Sequence, residues 1–144
     1  MATERQAEVS WSGSLFEGSG TIDRVGSGAF GPLDVTWASR AEDPAGRTSP
    51  EELIAAAHAA CFSMAFSNEL AQAGSPPEHL ATRAAVTFVP GTGITKIALA
   101  VRGRVPGMDE DRFREMAEAA KEGCPVSQAL AAVPEITLDA TLET

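Results

Sequence analysis

The sequence predicts an α+β fold, formed as a single domain over residues 1–144. Three observations predict it. The first third holds short, glycine-interrupted stretches that read as β structure. A long apolar segment with a full set of helix-start residues follows at Ser49. The strand-like runs beyond it are linked mostly by turn residues, which favours hairpins over a parallel βαβ sheet.

Taken in order, Ala7 to Trp11 reads as a short strand closed by Ser12-Gly13-Ser14. Leu15 to Val25 reads as an irregular strand, because Gly18 and Gly20 interrupt it. Gly26-Ser27-Gly28 and Gly31-Pro32 mark turns, and Leu33 to Trp37 a third strand. Arg40 to Ser49, with Pro44 and Gly46, reads as a polar loop.

The helix that follows carries the strongest local signal. Ser49 is an N-cap residue, Pro50 suits the first helical position, and Glu52 stands three residues after the cap. Leu53, Ala57, Ala60, Met64 and Leu70 continue at helical spacing to a stop at Gly74. Phe62 and Phe66 extend the apolar surface to nearly all sides, which predicts a helix buried centrally. Its alanines allow close approach by other backbones.

Pro76-Pro77 breaks the chain, and two strands are expected from Thr82 to Val89 and from Ile94 to Val105, joined at Gly91-Thr92-Gly93. Met108-Asp109 opens an amphipathic helix with Phe113, Met116, Ala117 and Ala120 on one face. Gly123-Cys124-Pro125 ends it and starts a short helix through Ala131. Glu135 to Leu142 alternates as a final strand.

Composition narrows the function. A chain of 144 residues with 44% hydrophobic and 22% charged residues is ordinary for a soluble globular domain. A domain of this size buries about 68–70% of its unfolded surface, enough for a core. The net charge of −9 and the lack of a basic cluster disfavour nucleic acid. The opening MATERQAEVSW mixes charges and holds no apolar run, so no signal peptide is expected. The apolar stretch from Leu53 to Phe66 is too short to span a membrane. A cytoplasmic protein is therefore expected, and there a paired cysteine is more often redox-active or reduced than structural.

Two cysteines lie 63 positions apart and form no CxxC motif. With two histidines and no clustered ligands, no metal site is indicated. Cys61, in an apolar helix, reads equally as a small buried hydrophobe. Cys124 precedes Pro125 at a helix start, where free N–H groups stabilise a thiolate, although it could simply cap a turn.

Two segments resemble a known family. Ser49 to Met64, SPEELIAAAHAACFSM, is similar to the central-helix signature of the OsmC/Ohr family, the osmotically inducible and organic hydroperoxide resistance proteins. Ala120 to Leu130, AKEGCPVSQAL, matches the segment around that family's second cysteine. The resemblance extends over nearly the whole chain. The opening VSWSGSLFEGSGTI and the run Ser-Arg-Ala-Glu-Asp at 39–43 favour the OsmC branch.

The resemblance implies β-sheets around a long central helix in an intertwined homodimer, with sites at the subunit interface. It implies a thiol peroxidase without haem, metal or other cofactor, acting on organic hydroperoxides. Cys61 would attack the peroxide and Cys124 resolve the product. Glu51 and Arg40 would complete the site, with Arg47 as the second candidate for the arginine. An external dithiol, of which a lipoylated protein is one candidate, would reopen the disulfide.

The chemistry agrees with these roles. Arg40 would lower a thiol pKa and stabilise the departing oxygen. The sulfenic acid formed on Cys61 would condense with Cys124, which protects it from further oxidation. A carboxylate raises a neighbouring thiol's pKa, so Glu51 would serve by holding the arginine in a bidentate pair. On the residues alone it reads rather as a first-turn residue complementing the helix dipole, and the resemblance reverses that preference. Ten helical residues rise about 15 Å, so Glu51 cannot touch Cys61 along one helix. A bridging loop or a second subunit, with Glu51 of one chain completing the site of the other, is expected. His58, one turn before Cys61, could pair with it as in cysteine hydrolases, but a packing role is favoured. His79 is expected in solvent. Phe62, Phe66, Met64 and Trp37 are expected in the core. A non-catalytic stress or ligand-binding protein on the same fold is the alternative function.

Overall fold

The computed structural model describes residues 1–143. Two compact units divide the chain, Met1–Leu53 and Ile54 onward.

In the first unit, β1 (Ala7–Ser12), β2 (Ser19–Val25) and β3 (Leu33–Val35) form an antiparallel sheet in chain order. The expected second strand starts later, because Ser14–Glu17 is a turn closed by Gly18 N–H on Ser14 O at 2.8 Å. The polar loop expected from Arg40 begins instead as a short helix, α1 (Trp37–Ala41). Thr36 caps it: its hydroxyl accepts the Ser39 N–H at 3.0 Å, and Ser39 Oγ accepts the Thr36 N–H at 2.9 Å. Every residue of β1 is exposed, Val9 and Trp11 among them.

Helix α2 (Pro50–Gln72) runs across the boundary between the units. It begins as the sequence indicates, with Ser49 Oγ accepting the Glu52 N–H at 3.1 Å. Glu52 does not reach back to close a capping box. Its carboxylate accepts from the Thr48 hydroxyl at 2.8 Å.

In the second unit, β4 (His79–Val89) and β5 (Gly93–Arg104) form a long hairpin, and β6 (Glu135–Leu142) lies on the other edge of β5. The β5–β6 pairing is parallel, from Lys96↔Glu135 to Gly103↔Leu142. The expectation of hairpins therefore fails at this step. Two helices separate β5 and β6, α3 (Glu110–Gly123) and α4 (Pro125–Ala129), and they supply the crossover that parallel strands require. Asp109 caps α3 by accepting the Arg112 N–H at 2.8 Å. The face expected to be buried, Phe113, Met116, Ala117 and Ala120, is buried.

Phe62, Phe66 and Leu70 of α2 enter the core of this unit beside Ile97, Leu99 and Val101 of β5. Phe66 stands 5.6 Å from Phe62 and 5.0 Å from Phe113 between ring centroids. The all-round burial expected for the helix is not found in the single chain. His58, Phe62, Phe66 and Leu70 form the buried stripe, while Ala56, Ala57, Ala60 and Met64 are exposed. Met64 leaves the expected core altogether, at 74% exposure. Trp37 is half-buried against Phe16, edge to face at 5.4 Å. Among the described residues no helix is long and apolar enough to cross a membrane.

Candidate active site

The two cysteines converge within the second unit. Cys61 is half-buried on α2, and Cys124 is fully buried between α3 and α4. Cys124 leaves the α3 helix with extended backbone (φ −66°, ψ 122°), while its N–H still reaches Ala120 O at 2.9 Å. Pro125, which cannot donate, then starts α4. This turn brings the Cys124 sulfur 3.0 Å from that of Cys61 as a hydrogen-bonded pair of free thiols. A disulfide is about 2.05 Å long, so closure needs a shift of roughly 1 Å.

The surroundings treat the two sulfurs differently. Burial pushes the Cys61 thiol up, and the neighbouring Cys124 adds to this against the opposing Val126 N–H. Burial also acts to raise Cys124. The Cys61 thiol, the N–H and hydroxyl of Ser127 and the Val126 N–H outweigh it, so Cys124 ends below its ordinary value. In the single chain, a thiolate is easier to form on Cys124 than on Cys61.

Arg40 and Glu51 meet within the first unit. The isolated bridge between Val35 and Thr48, and Ser39 Oγ donating to Thr48 O at 2.9 Å, tie α1 to the start of α2. Arg40 at the end of α1 then faces Glu51 in the first turn of α2. Arg40 Nε lies 3.0 and 3.1 Å from the two carboxylate oxygens, and its Nη2 lies 2.8 Å from Oε2. Glu51 is 6% exposed, and a carboxylate so buried needs such a partner. Arg47 is exposed, so the arginine on Glu51 is Arg40.

His58 does not pair with Cys61. It is fully buried and its Nε2 lies 2.7 Å from Ser127 Oγ. Ser127 escaped the sequence reading. Its signal is the Cys-Pro-Val-Ser run, which puts a hydroxyl three residues after an N-cap cysteine. His79 is exposed, as expected. Among the described residues no three His, Cys, Asp or Glu side chains cluster to hold a metal ion. A groove of about 660 Å³ runs beside Met64, Ser67, Pro77 and Leu80, and neither cysteine lines it.

A family model described as "OsmC-like protein" matches residues 42–139. The chain belongs to the OsmC family. Its OsmC relatives include "Peroxiredoxin OsmC" of Escherichia coli (strain K12), 43% identical and aligned over 99% of both chains. The protein of that name from Shigella flexneri matches equally, at 43% identity over 99% of both chains. These identities place the chain in the OsmC branch. Solved structures share the OsmC fold. An OsmC-like protein from Mycoplasma pneumoniae aligns with a TM-score of 0.67 at 16% identity, over 96% of this chain and 98% of that one. The organic hydroperoxide resistance protein OhrB of Bacillus subtilis aligns with a TM-score of 0.62 at 23% identity, over 96% and 98%.

Proposed function

We propose that the chain is a cysteine-based peroxidase that reduces organic hydroperoxides to alcohols, acting in the cytoplasm as an intertwined homodimer. The observation that carries this reading is the pair of free thiols 3.0 Å apart in a member of the OsmC family. The peroxiredoxin names of its relatives support it.

Cys61 is the attacking sulfur, because it is half-buried and Cys124 is closed to solvent. Its thiolate attacks one peroxide oxygen and the O–O bond breaks. The alkoxide takes a proton and leaves as the alcohol, while Cys61 becomes a sulfenic acid. Cys124 then displaces the hydroxyl, which leaves as water, and the disulfide forms. An external dithiol, such as a lipoylated protein, restores both thiols. The Arg40–Glu51 pair serves the thiols of a second copy. A guanidinium beside Cys61 draws the thiolate onto that sulfur, reversing the single-chain preference for Cys124. Glu51 holds the guanidinium in one orientation. The two units act together as one domain in this assembly.

The test is the mass of the intact protein after one equivalent of cumene hydroperoxide. Loss of two hydrogens is expected, with no reaction in Cys61→Ser and with added oxygens in Cys124→Ser. Full turnover by Cys61→Ser would end the reading, and an unchanged mass would favour a binding protein.

A further inference from the structure

His58 has no part in the chemistry above, yet it is fully buried on α2 and its Nε2 lies 2.7 Å from Ser127 Oγ. Ser127 is itself only 8% exposed. The spacing of this contact matters. His58 and Cys61 stand three residues apart on α2, so they share one side of the helix. Cys124 and Ser127 are also three apart, at the N-cap and the third residue of α4. The same two segments therefore meet twice, about one helical turn apart. They meet at the buried ring and hydroxyl, and again at the two sulfurs 3.0 Å apart.

Little within α4 fixes where Cys124 stands. The helix has 5 residues, too short to persist without tertiary support. No capping hydrogen bond ties the Cys124 side chain to its own helix. Its backbone is extended, between the end of α3 and Pro125. Val126 and Leu130 pack against the core, but apolar contact is non-directional and permits sliding. The hydrogen bond between His58 and Ser127 is directional. Breaking it would leave a hydroxyl and a ring nitrogen buried without partners. His58 Nδ1 already finds no partner among the described residues. An orphaned buried N–H is rarer in proteins than an under-used acceptor. The ring proton therefore belongs on Nε2, which donates to Ser127 Oγ.

We propose that His58 and Ser127 are positioning residues: their hydrogen bond clamps α4 onto α2 and so holds the Cys124 sulfur within closing distance of Cys61. In the dithiol the clamp suppresses arrangements in which the Cys124 turn drifts away from α2. In the disulfide the covalent bond holds that turn in any case. Clamp and disulfide favour the same arrangement, so each strengthens the other by the same factor. The purpose of the clamp rests on the two-cysteine reading, in which Cys124 must reach the oxidised Cys61, but its test needs no peroxide. The step it prepares balances simply. The Cys124 sulfur forms the S–S bond, and the S–O bond of the Cys61 sulfenic acid breaks. The departing hydroxide takes the proton of the Cys124 thiol and leaves as water.

The full-length protein is equilibrated with mixtures of oxidised and reduced dithiothreitol, and the disulfide fraction is read from the mass of the alkylated chain. Closing the disulfide passes two protons and two electrons to oxidised dithiothreitol, which becomes its dithiol. His58→Leu leaves Ser127 and both cysteines in the chain. It should form the disulfide about tenfold less readily, a midpoint about 30 mV higher for this two-electron couple. Ser127→Ala should give a similar loss. The double variant should lose no more than either alone, because each removes the same bond. Ser127→Thr should restore the parent midpoint, and His58→Gln, which keeps a donor, should recover part of it. A contact that only packs would lower thermal stability in both redox forms and leave the midpoint in place. An unchanged midpoint in Ser127→Ala overturns the inference, and that variant decides alone if His58→Leu does not fold. Losses that add in the double variant, or a disulfide that forms in no mixture, overturn it as well. A shifted midpoint without any reaction with cumene hydroperoxide would sink the peroxidase reading and leave the clamp standing.

Discussion

At the residue scale, the buried carboxylate of Glu51 and the buried ring of His58 are each held by one side chain. Glu51 depends on Arg40, whose Nε and Nη2 grip both carboxylate oxygens. Lysine cannot supply that fork. Arg40→Lys should therefore lower kcat/KM for an organic hydroperoxide by roughly 30-fold, from about 2 kcal/mol of charge-assisted bonding. Activity equal to the parent would remove Arg40 from the site. His58 sets a stability limit instead. Its folded-state pKa lies below the unfolded value of about 6.5, because burial disfavours the charged ring. Below that pH the unfolded chain binds the extra proton, so stability is full above it and is lost as pH falls. Denaturant midpoints between neutral pH and pH 5 should fall less steeply in His58→Gln than in the parent. Cys124 was legible from its place at a helix start, whereas Cys61 and the Arg40–Glu51 pair were legible only through the motifs around them. Ser127 as the partner of His58 was not, because which hydroxyl faces a buried ring depends on two helices meeting far apart in sequence.

At the scale of elements, local chemistry made the helix starts readable and long-range pairing hid the rest. Ser49, Pro50 and Asp109 announce α2 and α3 through the backbone donors they satisfy or do without. Helix α1 went unread because Thr36 and Ser39 cap it with a serine where a glutamate is the usual sign. The parallel β5–β6 register was equally hidden, since an alternating strand at the chain's end carries no mark of direction. One glycine shows how closely the elements of this unit fit. A Cβ on Gly103 of β5 would stand 2.7 Å from the Phe113 ring of α3 and 2.8 Å from Leu80 Cδ2 of β4. Gly103→Ala should cost about 1–3 kcal/mol through overpacking. An unaltered thermal midpoint would mean that the Phe113 ring gives way freely.

At the scale of the whole molecule, the single chain exposes what a lone chain of this kind ordinarily hides. Val9, Trp11, Leu15, Phe16 and Phe30 are between 42% and 73% exposed, and Met64 stands out from the helix predicted to be central. The all-round burial that the sequence predicted for this helix is not met in the single chain, where Met64 and the neighbouring alanines stand open. Sedimentation should find a dimer at micromolar concentration. On the proposed shared site, Phe16→Glu or Met64→Glu should shift it toward monomer and reduce peroxidase activity in step. Full activity in a monomeric variant would show that one chain suffices.

The separation of the two sulfurs also fixes the outcome of a race. On the proposed mechanism, once Cys61 carries a hydroxyl a second peroxide must diffuse in and find it, while Cys124 is already 3.0 Å away. Neighbours held this close react as if at molar concentrations or above, far beyond any cellular peroxide. The oxidised intermediate should therefore be too brief to trap or to accumulate damage. A flood of peroxide would stall the protein as a disulfide awaiting electrons, and the supply of reductant would decide how quickly it recovers.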